Sequence, residues 1–181
     1  MDKTGSNPKF TNRSPLQEEP ALLELFAQSL RELYWAENHL VKTLPKMALA
    51  SSSRLAGAIE EHLEETKMQV SRLEEIFHIT NQKMLAQKCE AMECLTKEGE
   101  ILIESTDPGT ATRDVAVIMA SQKVEHHEIA CYGTLAQLAK TLGLEETAAL
   151  LEQSLEEEKA ADVKLTEIAE NDVNYEATME S

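Results

Sequence analysis

The sequence predicts an all-α fold: a four-helix bundle with a short extra helix in the crossover between helices two and three. Three observations carry this expectation. Glu, Leu and Ala, all strong helix formers, dominate the 181 residues, and only 6 Gly and 5 Pro punctuate them. Apolar residues recur at helical spacing along four long stretches, with almost no strand-type alternation. The second and third stretches are separated by roughly thirty residues, whereas the other two links are tight.

Residues 1–18 carry Gly5, Pro8 and Pro15 among polar side chains and are expected to form a flexible tail. The first helix should begin near Glu19 and Pro20, since proline suits a first turn. Leu22, Phe26, Leu30, Leu33, Leu40 and Leu44 form its apolar stripe, and Pro45 should kink or interrupt it before Met47. Ser51-Ser52-Ser53 is expected to turn the chain and cap the next helix. That second helix covers about residues 53–79, on Leu55, Ile59, Leu63, Val70, Leu73 and Phe77.

A polar connector over 80–88 leads to a short helix at about 90–104, then to the turn Asp107-Pro108-Gly109-Thr110. The third long helix should run over 112–142, with Gly143 ending it, and the fourth over 145–170. Beyond Asn171 the polar chain is expected to fray, so the divisions are tail 1–18, bundle 19–171 and tail 172–181. Four helices of matching length favour side-by-side packing, and one long crossover is the ferritin-like topology rather than a plain up-and-down bundle.

A net charge of -16, from 17 basic and 33 acidic residues, would repel phosphate backbones and anionic lipid. Nucleic-acid and membrane partners are therefore not expected. No apolar run approaches the roughly 18–20 residues that span a bilayer. The first residues lack a secretory apolar stretch, and Cys89, Cys94 and Cys131 are odd in number without zinc-type spacing. Reduced thiols in a cytoplasmic protein are the expectation.

Near the midpoint of each long helix an acidic residue falls in line with the apolar stripe. Glu37 lies between Leu33 and Val41, and His62 and Glu65 share one face of the second helix. Glu125 and Glu128 share a face of the third, flanked by Val124 and Tyr132; Glu158 follows Leu155 on the fourth, with Asp162 one turn later. Any one of these could be a boundary residue in so acidic a chain. Their coincidence at one level points to a dinuclear metal site, because buried carboxylates demand protons or a cation. With five histidines, none on the fourth helix, the donor set is richer in oxygen than nitrogen and suits iron or manganese. His126 is the expected hydrogen-bonding neighbour of the ligands. Glu64, Glu156 and Glu157 are expected on solvated faces, Glu157 lying about 100° around the helix from Glu158.

Several segments together resemble the YciF-like stress proteins of the ferritin-like superfamily. They are Leu33-Tyr34-Trp35-Ala36-Glu37, His62-Leu63-Glu64-Glu65-Thr66, Lys88-Cys89-Glu90-Ala91-Met92-Glu93, the run from Gln122 to Leu135, and Leu155 to Asp162. The resemblance spans residues 20–175 and is most specific over 122–135. It implies a homodimer with a rubrerythrin-like dinuclear metal centre and expression under stress. The superfamily pattern places a Glu on helices one and three and Glu-x-x-His on helices two and four. Glu37 and Glu128 match the single glutamates, Glu125 is additional, helix two reads His62-x-x-Glu65, and helix four offers Glu158 and Asp162 without histidine. The expected metal residues are thus Glu37, His62, Glu65, Glu125, Glu128, Glu158 and Asp162. Ferrous-iron oxidation or peroxide reduction is the expected chemistry, with no residue assigned to catalysis. No Cys-x-x-Cys module is present to supply electrons. The alternative is a structural or interaction protein with a vestigial site.

Overall fold

A computed structural model describes residues 20–180. Its four long helices are α1 (Pro20–Ala50), α2 (Ser53–Ile79), α4 (Ala111–Thr141) and α5 (Glu145–Ile168), with the short α3 (Glu90–Glu104) in the crossover. A π-helical turn (Ala169–Val173) and α6 (Asn174–Thr178) follow without a break, and no strand occurs among the described residues. The expected start at Glu19 and the tail over 1–18 lie outside the described residues.

Around the bundle α1 packs on α2 and α4, and α5 packs on those same two helices, while α3 lies against α4 and α1. The Asp114 carboxylate, at the start of α4, accepts from the Ser52 backbone N–H at 2.9 Å, just before α2. Helices α2 and α4 therefore begin at the same end, and the crossover carries the chain back along the bundle. Glycines with φ of +77° at Gly109 and Gly143 make the turns on either side of α4, a conformation costly for residues with a Cβ.

The core is divided in two. One apolar cluster holds Leu40, Leu44, Leu55, Ile59, Val117 and Leu165; the other holds Phe26, Leu30, Leu73, Phe77, Leu135 and Leu151. Burying each such side chain contributes about 1.5–3 kcal/mol, so both ends of the bundle are well anchored. Every long helix passes from one cluster to the other, and the acidic residues sit at the crossing: Glu37 between Leu33 and Leu40, Glu158 between Leu151 and Leu165.

Local expectations fail in three places. Helix α1 runs uninterrupted through Pro45 to Ala50. Proline removes one N–H there, and the buried Leu44, Met47 and Ala48 hold the last turns on the core. Ser52 makes no side-chain cap; its backbone N–H is instead satisfied by Asp114. The chain past Asn171 is helical rather than frayed, because Val173 is buried, Asp172 pairs with Arg54, and Glu180 accepts from the Thr112 backbone N–H at 3.0 Å.

Candidate metal centre

Between the two apolar clusters lie His62 from α2, Glu125 and Glu128 from α4, and Glu158 from α5. All four are buried, and one donor atom from each falls within 4.8 Å of the others. The spacing of three along α4 turns Glu125 and Glu128 to one face, with Val124 and Tyr132 packing into opposite clusters on either side. His62 Nε2 lies 3.5 Å from Glu125 Oε1 and 3.8 Å from Glu158 Oε2, and its Nδ1 lies 3.5 Å from Glu65 Oε2. These are ion-pair separations, and neither ring nitrogen has a hydrogen-bond partner.

Glu37 is fully buried beside this group, its Oε1 accepting from the Tyr132 hydroxyl at 2.5 Å. Glu158 Oε1 accepts from the Gln69 amide, which also donates to Glu157 Oε2 at 3.2 Å. Arg72 then clamps Glu157 through both guanidinium nitrogens, at 2.6 and 2.5 Å. Glu157 is therefore not on a solvated face; it holds the amide that holds Glu158. Glu64 and Glu156 are exposed, as expected.

Burial and the Glu158 charge raise the Glu37 carboxyl to about 8, although the Tyr132 hydroxyl pulls the other way. Burial likewise raises Glu125 to about 8. Burial lifts Glu128 and Glu158 well above the usual carboxyl range, with the Glu37, Glu158 and Glu125 charges adding to the effect at Glu128. Burial lowers His62, but Glu65, Glu158 and Glu37 outweigh it and the imidazole is raised. Each shift has one origin, acidic groups crowded where water is absent.

The buried side-chain atoms without a hydrogen-bond partner concentrate here: Glu37 Oε2, both His62 nitrogens, Glu125 Oε2, both Glu128 oxygens and Glu158 Oε2. Leaving even one such atom unpaired costs about 1–3 kcal/mol, so this concentration calls for a ligand or protons. Oxygen donors with one imidazole form a set that a hard or borderline divalent cation satisfies. The cluster fits a metal.

Glu65 and Asp162 stand at its edge. The Glu65 side chain is 38% exposed, and Asp162 faces Gln122 Nε2 at 3.4 Å and His126 Nδ1 at 3.3 Å. His126 does not orient Glu125; its ring is largely exposed and bonds to the Gln122 carbonyl at 2.9 Å. One residue along a helix is about 100° of rotation, enough to carry it out of the core. Gln69 and Arg72 escaped the sequence reading, although Gln69 follows His62 by seven and Glu65 by four, on one helical face.

Comparison with known proteins places the chain in a family. The chain is 47% identical over 156 residues to protein YciF of Escherichia coli (strain K12), covering 85% of this chain and 93% of that protein. The crystal structure of the E. coli stress protein YciF superposes with a TM-score of 0.81 at 46% identity, covering 84% of this chain and 97% of that one. YcfI from Rhodopseudomonas palustris matches with a TM-score of 0.75 at 36% identity, over 87% and 97% of the two chains. A protein from Xanthomonas campestris pv. campestris shares the fold, with a TM-score of 0.68 at 23% identity over 86% and 96%. The profile of the family described as "Domain of unknown function (DUF892)" matches residues 21–178. The chain belongs to the DUF892 family and is a homologue of the YciF stress protein.

Proposed function

We propose that the bundle holds a dinuclear iron or manganese centre of the ferritin-like kind and uses it to oxidise ferrous iron or reduce peroxide. The observation that carries this reading is the set of partnerless buried donor atoms on His62, Glu125, Glu128 and Glu158, with Glu37 adjoining. When bound, a pair of such ions supplies two-electron exchange with a small oxidant. The protein's own residues bind the ions, set their surroundings and admit the oxidant.

Tyr132 and Gln69 each occupy one oxygen of a carboxylate, Glu37 and Glu158, and leave the second free. The apolar clusters above and below close off the two ends of the bundle from the level of the ligands. A cavity of about 90 Å³ reaches His62, Glu65 and Glu125 between α2 and α5, where Ala58, Ala160 and Ala161 leave room for a small molecule. Lys164 pairs with Glu61 at its mouth and ties the two helices together.

The reading extends to a homodimer in the cytoplasm. Its support is the unpaired state of all three cysteines, the family resemblance, and apolar side chains such as Leu25, Met68 and Val163 left exposed on the long helices. Light scattering that returns a single-chain mass would remove the dimer.

Ferrous iron added anaerobically to the reduced protein, followed by peroxide, tests the activity. Iron held by the protein should consume peroxide faster than iron in buffer, and Glu128→Gln should remove the difference. Equal rates with and without protein would overturn the proposal. A structural role is the second reading, favoured by one observation: carboxyls raised to about 8 keep protons at neutral pH and let the cluster persist without an ion. Under that reading divalent metals leave the melting temperature unchanged.

A further inference from the structure

Beside the carboxylate centre lies a neutral polar group without a partner. Ser121 is 4% exposed, and its hydroxyl makes no hydrogen bond. It stands one turn before Glu125 on α4 and so shares that residue's face of the helix. Both residues line the cavity of about 90 Å³ between α2 and α5, together with His62 and Glu65.

Helix packing alone does not explain this hydroxyl. A serine or threonine inside a helix can donate to the carbonyl four residues back. Thr43, Thr66, Ser71 and Thr141 do so here, to His39, His62, Lys67 and Gln137. Ser121 makes no such bond to Val117. A buried hydroxyl left unsatisfied is destabilising at a place where alanine would fit. Its polar neighbours in the cavity are turned elsewhere: Lys164 pairs with Glu61, and His62 faces Glu65, Glu125 and Glu158. The cavity has room for several water-sized molecules, so a small guest fits between Ser121 and the level of the ligands.

We propose that Ser121 holds the oxidant, its hydroxyl hydrogen-bonding a peroxide that enters through this cavity beside Glu125. The inference rests on the metal-centre reading above and narrows the substrate to the peroxide class. A serine hydroxyl both donates and accepts, and hydrogen peroxide does the same, whereas dioxygen has no proton to donate. One hydrogen bond of this kind changes affinity by roughly three- to tenfold. Ser121 contacts the substrate and holds no metal.

Azide probes the cavity without turnover, because it accepts a hydrogen bond and gives a charge-transfer absorption when bound to ferric iron. Iron per chain is measured first, in the native protein and in Ser121→Ala, and should be equal. Ser121→Ala should then weaken azide binding roughly three- to tenfold and raise KM for hydrogen peroxide by a similar factor at unchanged kcat. The metal-free variant should unfold at the same urea midpoint as the native protein or a higher one, since it loses no bond. Unchanged azide affinity, an unchanged KM, less iron in Ser121→Ala or a lower urea midpoint would each overturn the role of Ser121 and leave the metal centre standing. Iron missing from the native protein, or peroxide not consumed by it, would instead overturn the metal-centre reading and the peroxide site with it.

Discussion

Stripped of metal by a chelator, the bundle should lose stability steadily as pH rises from about 6.5 to about 8. Glu37 and Glu125, raised to about 8 by burial, keep protons in the folded state that the unfolded chain has already released near 4.5. Glu128 and Glu158 are displaced in the same direction. A folded state that binds more protons than the unfolded one is favoured at low pH. The advantage is complete below the unfolded value and is lost as pH climbs through the folded one. Each proton difference contributes a slope of about 1.4 kcal/mol per pH unit, so two retained protons give roughly 3 kcal/mol per unit. His62, raised on balance, acts the same way. His39 and His127, both lowered by burial, act oppositely below their ordinary value of 6.5, which is why the window starts there. Urea midpoints at constant m measure the slope. A flat or rising midpoint across this range would refute the reasoning. Loading with metal should flatten the slope, since ions then stand where the protons stood.

Two further outcomes rest on single contacts. Tyr132→Phe removes the hydroxyl that donates to the buried Glu37 carboxylate and should cost the apo protein about 1–3 kcal/mol in urea unfolding; no loss would mean the bond is not made. Glu157→Ala removes the acceptor that Arg72 and Gln69 share, leaving them Ser154 and Glu158, and should cost roughly 1.5–3 kcal/mol, whereas a change near zero would return Glu157 to the solvated face.

The helices and the level of the site were legible because both follow from periodicity. A glutamate in register with Leu33 and Leu40 is conspicuous, and the buried Glu37, Glu128 and Glu158 lie where the stripe is interrupted. What periodicity leaves open is the roll of each helix about its axis. Glu65 is three residues from His62 and Asp162 four from Glu158, offsets of roughly 60° and 40° that suffice to move a carboxylate from the core to its edge. The same ambiguity put His126 on the wrong side of Glu125. Glu157 was read as solvated because its partner Arg72 lies on another helix, 85 residues away in sequence. The Cys89–His127 contact joins an interhelical connection to α4, a pairing set by the crossover path and invisible to spacing within a helix.

Metal content tests the central claim most directly. Iron and manganese per chain should be measured in protein purified without chelator, for the native sequence, Glu128→Gln and Glu156→Gln. Glu156 is the appropriate control because its side chain is exposed and, among the described residues, bonds to Lys159 on its own helix. The account predicts about two ions per chain in the native protein and in Glu156→Gln, as a dinuclear bundle site requires, and a clear loss in Glu128→Gln. Equal iron and manganese in all three would contradict it.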